Sequence, residues 1–157
     1  MPRFSSHLVV EIPADDAQSL LREWGWLVGN GKSVLLVTAS GDLFFAEPDG
    51  PVLWLETGSG RLTEVAPSVQ AFDAALEDEA NWREWLLAPV IERLRSSGKI
   101  LGPGQCYGFR IPPVVGGAYD GENRVAIAAT EHFGFTGHLH GKLKDLPDGT
   151  QIKLEWE

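Results

Sequence analysis

Residues 33–66 read SVLLVTASGDLFFAEPDGPVLWLETGSGRLTEVA, and this stretch decides the fold class. It contains short apolar segments rich in β-branched and aromatic residues, which predict strands. The predicted strands are Val34–Thr38, Asp42–Ala46, Val52–Glu56 and Arg61–Val65. The segments between them contain Gly41, Gly50 and Gly58 and are typical of tight turns. Short turns join neighbouring strands in opposite directions, so the stretch predicts an antiparallel meander.

Apolar residues recur at helical spacing on both sides of the meander. One predicted helix covers Ala14–Trp24, and a second begins after Ser68, whose hydroxyl is suited to cap it, with Val69, Phe72 and Leu76 on its inner face. A third is expected from about Ala80 to Arg95, with Trp82, Trp85, Leu86 and Leu94 inward; Pro89 should kink or split it. The fold class is therefore α+β: one domain in which an antiparallel β-meander packs against several helices.

The C-terminal part is predicted to add a strand and a helix. Arg124–Thr130 alternates as a strand does, and the region from Phe135 onward suggests a last helix. Asp148-Gly149 predicts a final turn before QIKLEWE. The expected division of the chain is an N-terminal arm over residues 1–17 and the α+β domain over residues 18–157.

Size and composition support one domain with a substantial core. The chain has 157 residues and is 43% hydrophobic, which argues against general disorder, and its six Trp residues, Trp156 among them, supply core area. A single Cys106 excludes an internal disulfide and fits a reducing compartment. The first residues lack the apolar core of a signal peptide, and no stretch is long and apolar enough to span a bilayer. We therefore expect a cytoplasmic protein.

The net charge of −9 is concentrated in the first 97 residues, which hold 15 acidic against 7 basic side chains. This disfavours direct binding to nucleic acid, because Lys and Arg are needed to replace phosphate counterions. It favours a basic protein partner, with simple solubility as the alternative. A dense acidic stretch lies where two predicted helices meet, either as a solvated helix start or as a partner-binding patch. Its acids are Asp73, Glu77, Asp78, Glu79 and Glu84.

Residues 101–123, LGPGQCYGFRIPPVVGGAYDGEN, are rich in glycine and proline and are predicted to form a loop of defined geometry. The residues expected to shape it are Gly104, Gly108, Pro112, Pro113, Gly116 and Gly117. Aromatic side chains around the loop suit either core packing or partner binding. The candidate partner contacts in this segment are Tyr107, Tyr119 and Asn123.

Three features of the sequence invite a chemical interpretation. His132, His138 and His140, with Asp145 downstream, would suit a metal if the segment were a strand, but His138 and His140 diverge on the predicted helix. Packing or surface histidines are favoured, and a metal-binding protein or enzyme is the competing hypothesis. Cys106 lacks a nucleophile signature and is expected to be a small buried thiol. The glycines are not followed by the Lys-Ser/Thr pair of a phosphate loop. We predict no catalytic set, metal or cofactor.

Four segments occur in a recognisable order: GDLFFAEPDGPVLWLETGSGRLTEVAPS, then WREWL, then GPGQCYGFRIPPVVGGAYDGEN, then GHLHGKLKDLPDG. Together they resemble the family of bacterial proteins typed by the C-terminal domain of type VI secretion immunity proteins. The resemblance covers residues 18–153. Its most specific parts are the G-D-L-F turn, the G-x-C-Y-G-F-x-x-P-P-x-x-G-G block and the late L-P-x-G turn.

The resemblance implies a cytoplasmic antitoxin that binds a cognate toxin, often a nuclease, and blocks it without turnover. It also implies an α+β domain, and a relation to the broader SUKH immunity superfamily is a further expectation. Many members carry an additional N-terminal domain, whereas here only residues 1–17 precede the resemblance. Immunity proteins diverge where they face the toxin, so no contact residue is carried over. A general cytoplasmic adaptor is the remaining alternative.

Overall fold

A computed structural model of the chain describes residues 4–146. Its central element is an antiparallel sheet with the order β1-β2-β3-β4, as the meander predicted. The strands are β1 (Ser33–Val37), β2 (Leu43–Ala46), β3 (Val52–Glu56) and β4 (Arg61–Ala66). Around them lie α1 (Ala14–Ser19), α2 (Gly25–Val28), α3 (Val69–Ala75), α4 (Glu79–Trp85), α5 (Ala88–Ser96) and α6 (Ala129–Leu143). The predicted α+β single domain is confirmed.

Strand β2 is buried along its whole length because apolar side chains cover both faces of the sheet. On one face Phe44 stacks with Trp54 of β3 at 5.7 Å between ring centroids, and Phe72 of α3 tilts against it at 5.3 Å. On the other face Leu43 and Phe45 belong to a second core, which contains Trp24 and Phe133. Alternation along the strand sends neighbouring side chains into different cores.

The predicted helix over Ala14–Trp24 is wrong in its second half. Helix α1 ends at Ser19, a 3₁₀ turn covers Arg22–Trp24, and α2 follows at Gly25. The Ser19 hydroxyl donates to the carbonyl of Asp16 at 2.7 Å, a local bond that competes with helix continuation. Trp24 is fully buried. The residues before α1 also pack on the domain: Val10 N–H donates to the Val37 carbonyl at 2.9 Å.

The helical middle follows the prediction closely. The Ser68 hydroxyl accepts from the Ala71 N–H at 3.0 Å and caps α3. Helices α4 and α5 are split at Leu87, whose backbone is left-handed with φ 50°, and Pro89 lies in the first turn of α5. The inward position predicted for Val69 is wrong, because this side chain is 40% exposed.

The prediction of an uninterrupted loop over residues 101–123 is also wrong, since the segment contains a strand. Strand β5 (Gln105–Phe109) pairs antiparallel with β6 (Arg124–Ala128), which is the strand predicted over Arg124–Thr130. Helix α6 begins at Ala129 instead of Phe135. It contacts the turn before α2 so closely that a Cβ on Gly137 would lie 2.7 Å from the Glu23 carbonyl carbon.

Within residues 4–146, none of the helices has the length and apolar character needed to cross a membrane. Trp156, the predicted Asp148-Gly149 turn and QIKLEWE lie outside the described residues.

Candidate functional site

The segment that connects β5 to β6 has a tightly determined backbone. Pro113–Val115 form a 3₁₀ turn that starts directly after Pro112, and Gly116 follows with φ 105°. At Gly117 an added Cβ would lie 1.7 Å from the Ile111 carbonyl oxygen, so only glycine fits there. Gly104 adopts φ 72°, and a Cβ on Gly108 would lie 2.6 Å from Ile127 Cγ2. Gly108 lies within β5, while Pro112, Pro113, Gly116 and Gly117 lie in the segment that connects β5 to β6.

Asn123 and Tyr107, two of the predicted partner contacts, are used inside the molecule. The Asn123 side-chain amide donates to the carbonyls of Ile111 and Ala118 at 2.8 and 2.6 Å, and its oxygen accepts from the Ile111 N–H at 2.8 Å. Tyr107 is fully buried, and its hydroxyl donates to the Lys99 carbonyl. Burial removes Tyr107 from the candidate contact surface, whereas Asn123 stays partly exposed although its side chain is hydrogen-bonded inside the molecule. Tyr119 is 54% exposed and remains on that surface.

Arg124 is a buried cation that the sequence analysis missed. It is 2% exposed, and Nη1 donates to the carbonyls of Ser40 and Tyr107 at 2.8 and 3.1 Å. Nε donates to the Tyr119 carbonyl at 2.7 Å, and Cζ lies 4.1 Å from the Phe109 ring centroid. The side chain therefore ties the glycine-rich segment to the first turn of the meander. An arginine at the start of an apolar strand gave no sequence signal for this role.

A polar cluster lies under the same segment. The Thr57 hydroxyl donates to the Gly41 carbonyl at 2.7 Å, and the Thr57 N–H donates to the Asp42 carboxylate at 3.0 Å. His132 Nε2 lies 2.9 Å from both the Thr57 hydroxyl and the Gly41 carbonyl. Burial raises the pKa of Asp42 to about 6, against the opposing Thr57 bond and Arg124 charge. Burial lowers the pKa of His132 to about 4, so its imidazole is neutral at pH 7.

The remaining histidines and Cys106 are not arranged as a metal site or as a reactive nucleophile. His140 is buried with Nε2 2.9 Å from the Thr57 carbonyl, while His138 is exposed and lies 4.0 Å from the Glu23 carboxylate. Helical geometry separates His138 from His140, as expected. The described residues contain no group of three or more His, Cys, Asp or Glu side chains placed to hold a metal. Cys106 is buried, and burial raises its pKa to about 12, so the thiol stays protonated at neutral pH.

A cavity of about 220 Å³ opens beside this cluster. Pro112 and Pro113 form one wall and α6 forms another through Glu131, Phe135 and Leu139. The buried side chains of His132 and His140 also line it. Their ring nitrogens facing Thr57 are already hydrogen-bonded, so the floor of the cavity is largely apolar.

The acidic stretch is exposed on α3 and α4. Asp73 lies on α3, Glu79 and Glu84 lie on α4, and all three are exposed. Glu77 and Asp78 lie between the two helices and are also exposed, and the Asp78 carboxylate caps α4 by accepting from the Ala80 N–H at 2.9 Å. Both the helix-start role and an acidic surface are therefore present in one segment.

Glu56, the last residue of β3, interacts electrostatically with Glu84 of α4 and with Tyr119. Partial burial, and to a smaller extent the nearby charge of Glu84, raise the pKa of Glu56, while Arg61 opposes them. Burial, followed by the charges of Glu56 and Asp42, raises the pKa of Tyr119.

Residues 66–140 match a family model, and this range contains the acidic stretch, β5, β6 and most of α6. The family is described as T6SS immunity protein Tdi1, C-terminal. This is the family that the sequence motifs resembled, over a shorter range than residues 18–153. The Tdi1 family match supports an immunity role and suggests an inhibitor instead of an enzyme. A comparison with curated proteins finds no match to the chain.

Proposed function

We propose that this chain is a cytoplasmic immunity protein that binds a cognate type VI effector and blocks it by occlusion, and that the effector is a nuclease. The match of residues 66–140 to the Tdi1 C-terminal family carries the proposal. An effector of this kind is expected as the partner because an immunity protein acts by neutralising a toxin. Inhibition then requires one immunity protein per toxin and no chemical step.

The charge of the chain supports a nuclease as the target. A nuclease needs a basic surface to hold phosphates, and a protein with a net charge of −9 is attracted to such a surface. The exposed acids of α3 and α4 lie within the matched range. Complementary charge accelerates association more than it raises affinity, so tight inhibition also needs an apolar anchor.

The contact surface that we propose includes the acidic stretch and Tyr119. Asp73, Glu79 and Glu84 supply exposed carboxylates, while Tyr119 supplies an exposed aromatic side chain. Tyr119 also lies edge-on to Phe109 at 5.9 Å between ring centroids, which limits its freedom before a partner arrives. A side chain that is already held loses less entropy on binding.

The first test is to tag the protein in the bacterium that encodes it, capture it at low salt and identify partners at near-equal amount by mass spectrometry. The captured toxin should arrest growth when expressed alone, and co-expression of this chain should restore growth. With purified proteins, nucleic-acid cleavage should fall to zero at one equivalent of the immunity protein.

Other outcomes of the same experiment contradict the proposal. Recovery of host proteins with no protection against any toxin would favour an adaptor. Recovery of the chain alone with bound metal, lost in His138→Ala, would favour the histidine-centred hypothesis. Inhibition of a toxin that cleaves no nucleic acid would keep the immunity role and remove the nuclease.

A further inference from the structure

We infer that the cavity between Pro112-Pro113 and α6 is the anchor pocket for the toxin, and that it receives one apolar side chain flanked by a Lys or Arg of the toxin. The inference rests on the proposed immunity function and adds a specific docking position to it. This position is separate from the acidic residues of α3 and α4, because none of them lines the cavity.

The size and lining of the cavity fit one apolar side chain. Its volume is about 220 Å³, whereas an apolar cavity of about 150 Å³ is enough to hold a benzene ring. Phe109, Ile127 and Leu139 contribute apolar surface. The Thr136 hydroxyl donates to the His132 carbonyl one turn earlier at 2.8 Å and therefore does not require a polar ligand.

The floor of the cavity does not favour an ionic ligand. Burial lowers the pKa of both His132 and His140, so neither imidazole is charged at neutral pH. Each histidine has a ring nitrogen paired with the 41–57 region of the meander, at 2.9 Å in both cases. A charged group placed against these rings would lose its hydration without gaining an opposite charge.

The charge at the rim of the cavity favours a Lys or Arg of the toxin next to the inserted apolar side chain. Among the described residues that line the cavity, Glu131 is the one that carries charge at neutral pH. It is exposed in the first turn of α6 and forms no ion pair with any residue between 4 and 146. A Lys or Arg beside the inserted side chain would lie close to this carboxylate.

The wall of the cavity is also held in place before binding. The Asn123 side chain forms hydrogen bonds with both the N–H and the carbonyl of Ile111. Gly117 packs against the Ile111 carbonyl with no space for a larger residue. Ile111 and Val114 flank the prolines and are 53% and 42% exposed. A rigid wall with apolar neighbours is the arrangement expected of a binding anchor, because little order is lost on association.

Two variants test the inference against the captured toxin. Thr136→Met fills the cavity from within and should weaken toxin binding at least about thirtyfold, as expected when a central anchor is excluded. Glu131→Lys reverses the charge at the rim and should slow association about three- to tenfold at low salt. Asp15→Lys, on α1 and outside the cavity, makes the same change of charge and should have a smaller effect. Melting curves of each variant verify folding.

The outcomes separate this inference from the proposed function. Wild-type inhibition combined with unchanged binding of both Thr136→Met and Glu131→Lys would overturn the anchor pocket and leave immunity intact. Glu131 is exposed, so Glu131→Lys decides the question even if Thr136→Met unfolds. Failure of the wild-type protein to bind the toxin would overturn both proposals.

A second measurement addresses other occupants of the cavity. Hydrogen exchange in the complex should show protection of residues 109–115 and 131–140. A small molecule retained in native mass spectrometry of the toxin-free protein, or a dimer that Thr136→Met dissociates, would overturn the toxin as occupant.

Discussion

Asn123 holds Ile111 as a neighbouring strand would: its side-chain oxygen accepts from the Ile111 N–H and its amide donates to the Ile111 carbonyl, both at 2.8 Å. A third bond goes to the Ala118 carbonyl at 2.6 Å. Beyond the ends of β5 and β6, the Asn123 side chain therefore forms the hydrogen bonds to Ile111 that a paired strand would otherwise form. The backbone between the two strands keeps its shape because of this residue.

Asn123→Ala should destabilise the protein by about 2 kcal/mol, because each net hydrogen bond contributes roughly 1 kcal/mol and the site is partly exposed. Urea denaturation measures the change, and amide exchange over residues 110–118 should accelerate more than elsewhere. Asn30→Ala, at an exposed position, is the control. Equal effects of the two substitutions would contradict the role of Asn123.

Gly117 and Gly134 should respond to alanine with opposite signs. At Gly117 the new Cβ would overlap the Ile111 carbonyl oxygen at 1.7 Å, so the backbone must move and we expect a loss of about 2 kcal/mol or more. At Gly134, inside α6, a Cβ meets nothing within 4 Å and should raise stability by up to about 1 kcal/mol. Melting temperatures of the two variants test this, and a shift in the same direction would refute it.

The meander was predictable because its information is local. Each turn between β1 and β4 contains glycine at the point where the direction of the chain reverses, and the apolar segments match strand lengths. The split between α4 and α5 was predictable for the same reason, because a proline such as Pro89 disrupts the helical hydrogen bonds of the residues just before it in the chain. The exposure of the acidic stretch was also predictable, because charged side chains on a short helix face solvent whichever part of the core the helix packs against.

Strand β5 and the cavity were not predictable because they depend on distant partners. Gln105–Phe109 contains glycine and becomes a strand through pairing with β6, which begins at Arg124. Burial of Tyr107 and Arg124 follows from contacts with residues 39–41 of the meander, far away in sequence. Local composition therefore identified an ordered segment and misassigned which of its side chains face solvent.

Two buried groups give the protein opposing pH dependences. The pKa of Asp42 is raised from 3.8 to about 6 on folding, so the native state binds this proton more tightly and stability falls as pH rises from about 4 to 6. The pKa of His132 is lowered from 6.5 to about 4, so stability rises across nearly the same range. Each effect amounts to about 3 kcal/mol, and the two largely cancel.

The variant Asp42→Asn should reveal the pH dependence of stability that His132 contributes. Relative to wild type, the free energy of unfolding of this variant should increase by about 3 kcal/mol between pH 4 and pH 6.5, because the opposing Asp42 contribution is gone. Denaturation at several pH values measures it. Asp49→Asn removes an exposed carboxylate and should show no comparable change. Parallel pH curves for wild type and Asp42→Asn would refute the shift assigned to Asp42.

Charge reversal on α3 and α4 tests the steering role of the acidic stretch. The triple variant Asp73→Lys, Glu79→Lys and Glu84→Lys leaves Asp78 in place, since its carboxylate caps α4. If a basic toxin is guided by this surface, association should slow about tenfold at low salt and lose most of its salt dependence. Stopped-flow mixing with the captured toxin measures both quantities.

The matched control for that variant is Glu11→Lys, Asp15→Lys and Asp16→Lys, which changes the net charge by the same amount at exposed positions near α1. A general effect of net charge would slow both triple variants equally, whereas a specific surface slows the first far more. Equal rates would therefore remove the acidic stretch from the binding surface. The cavity beside α6 would then have to guide the toxin without it, and Glu131→Lys would become the more damaging substitution.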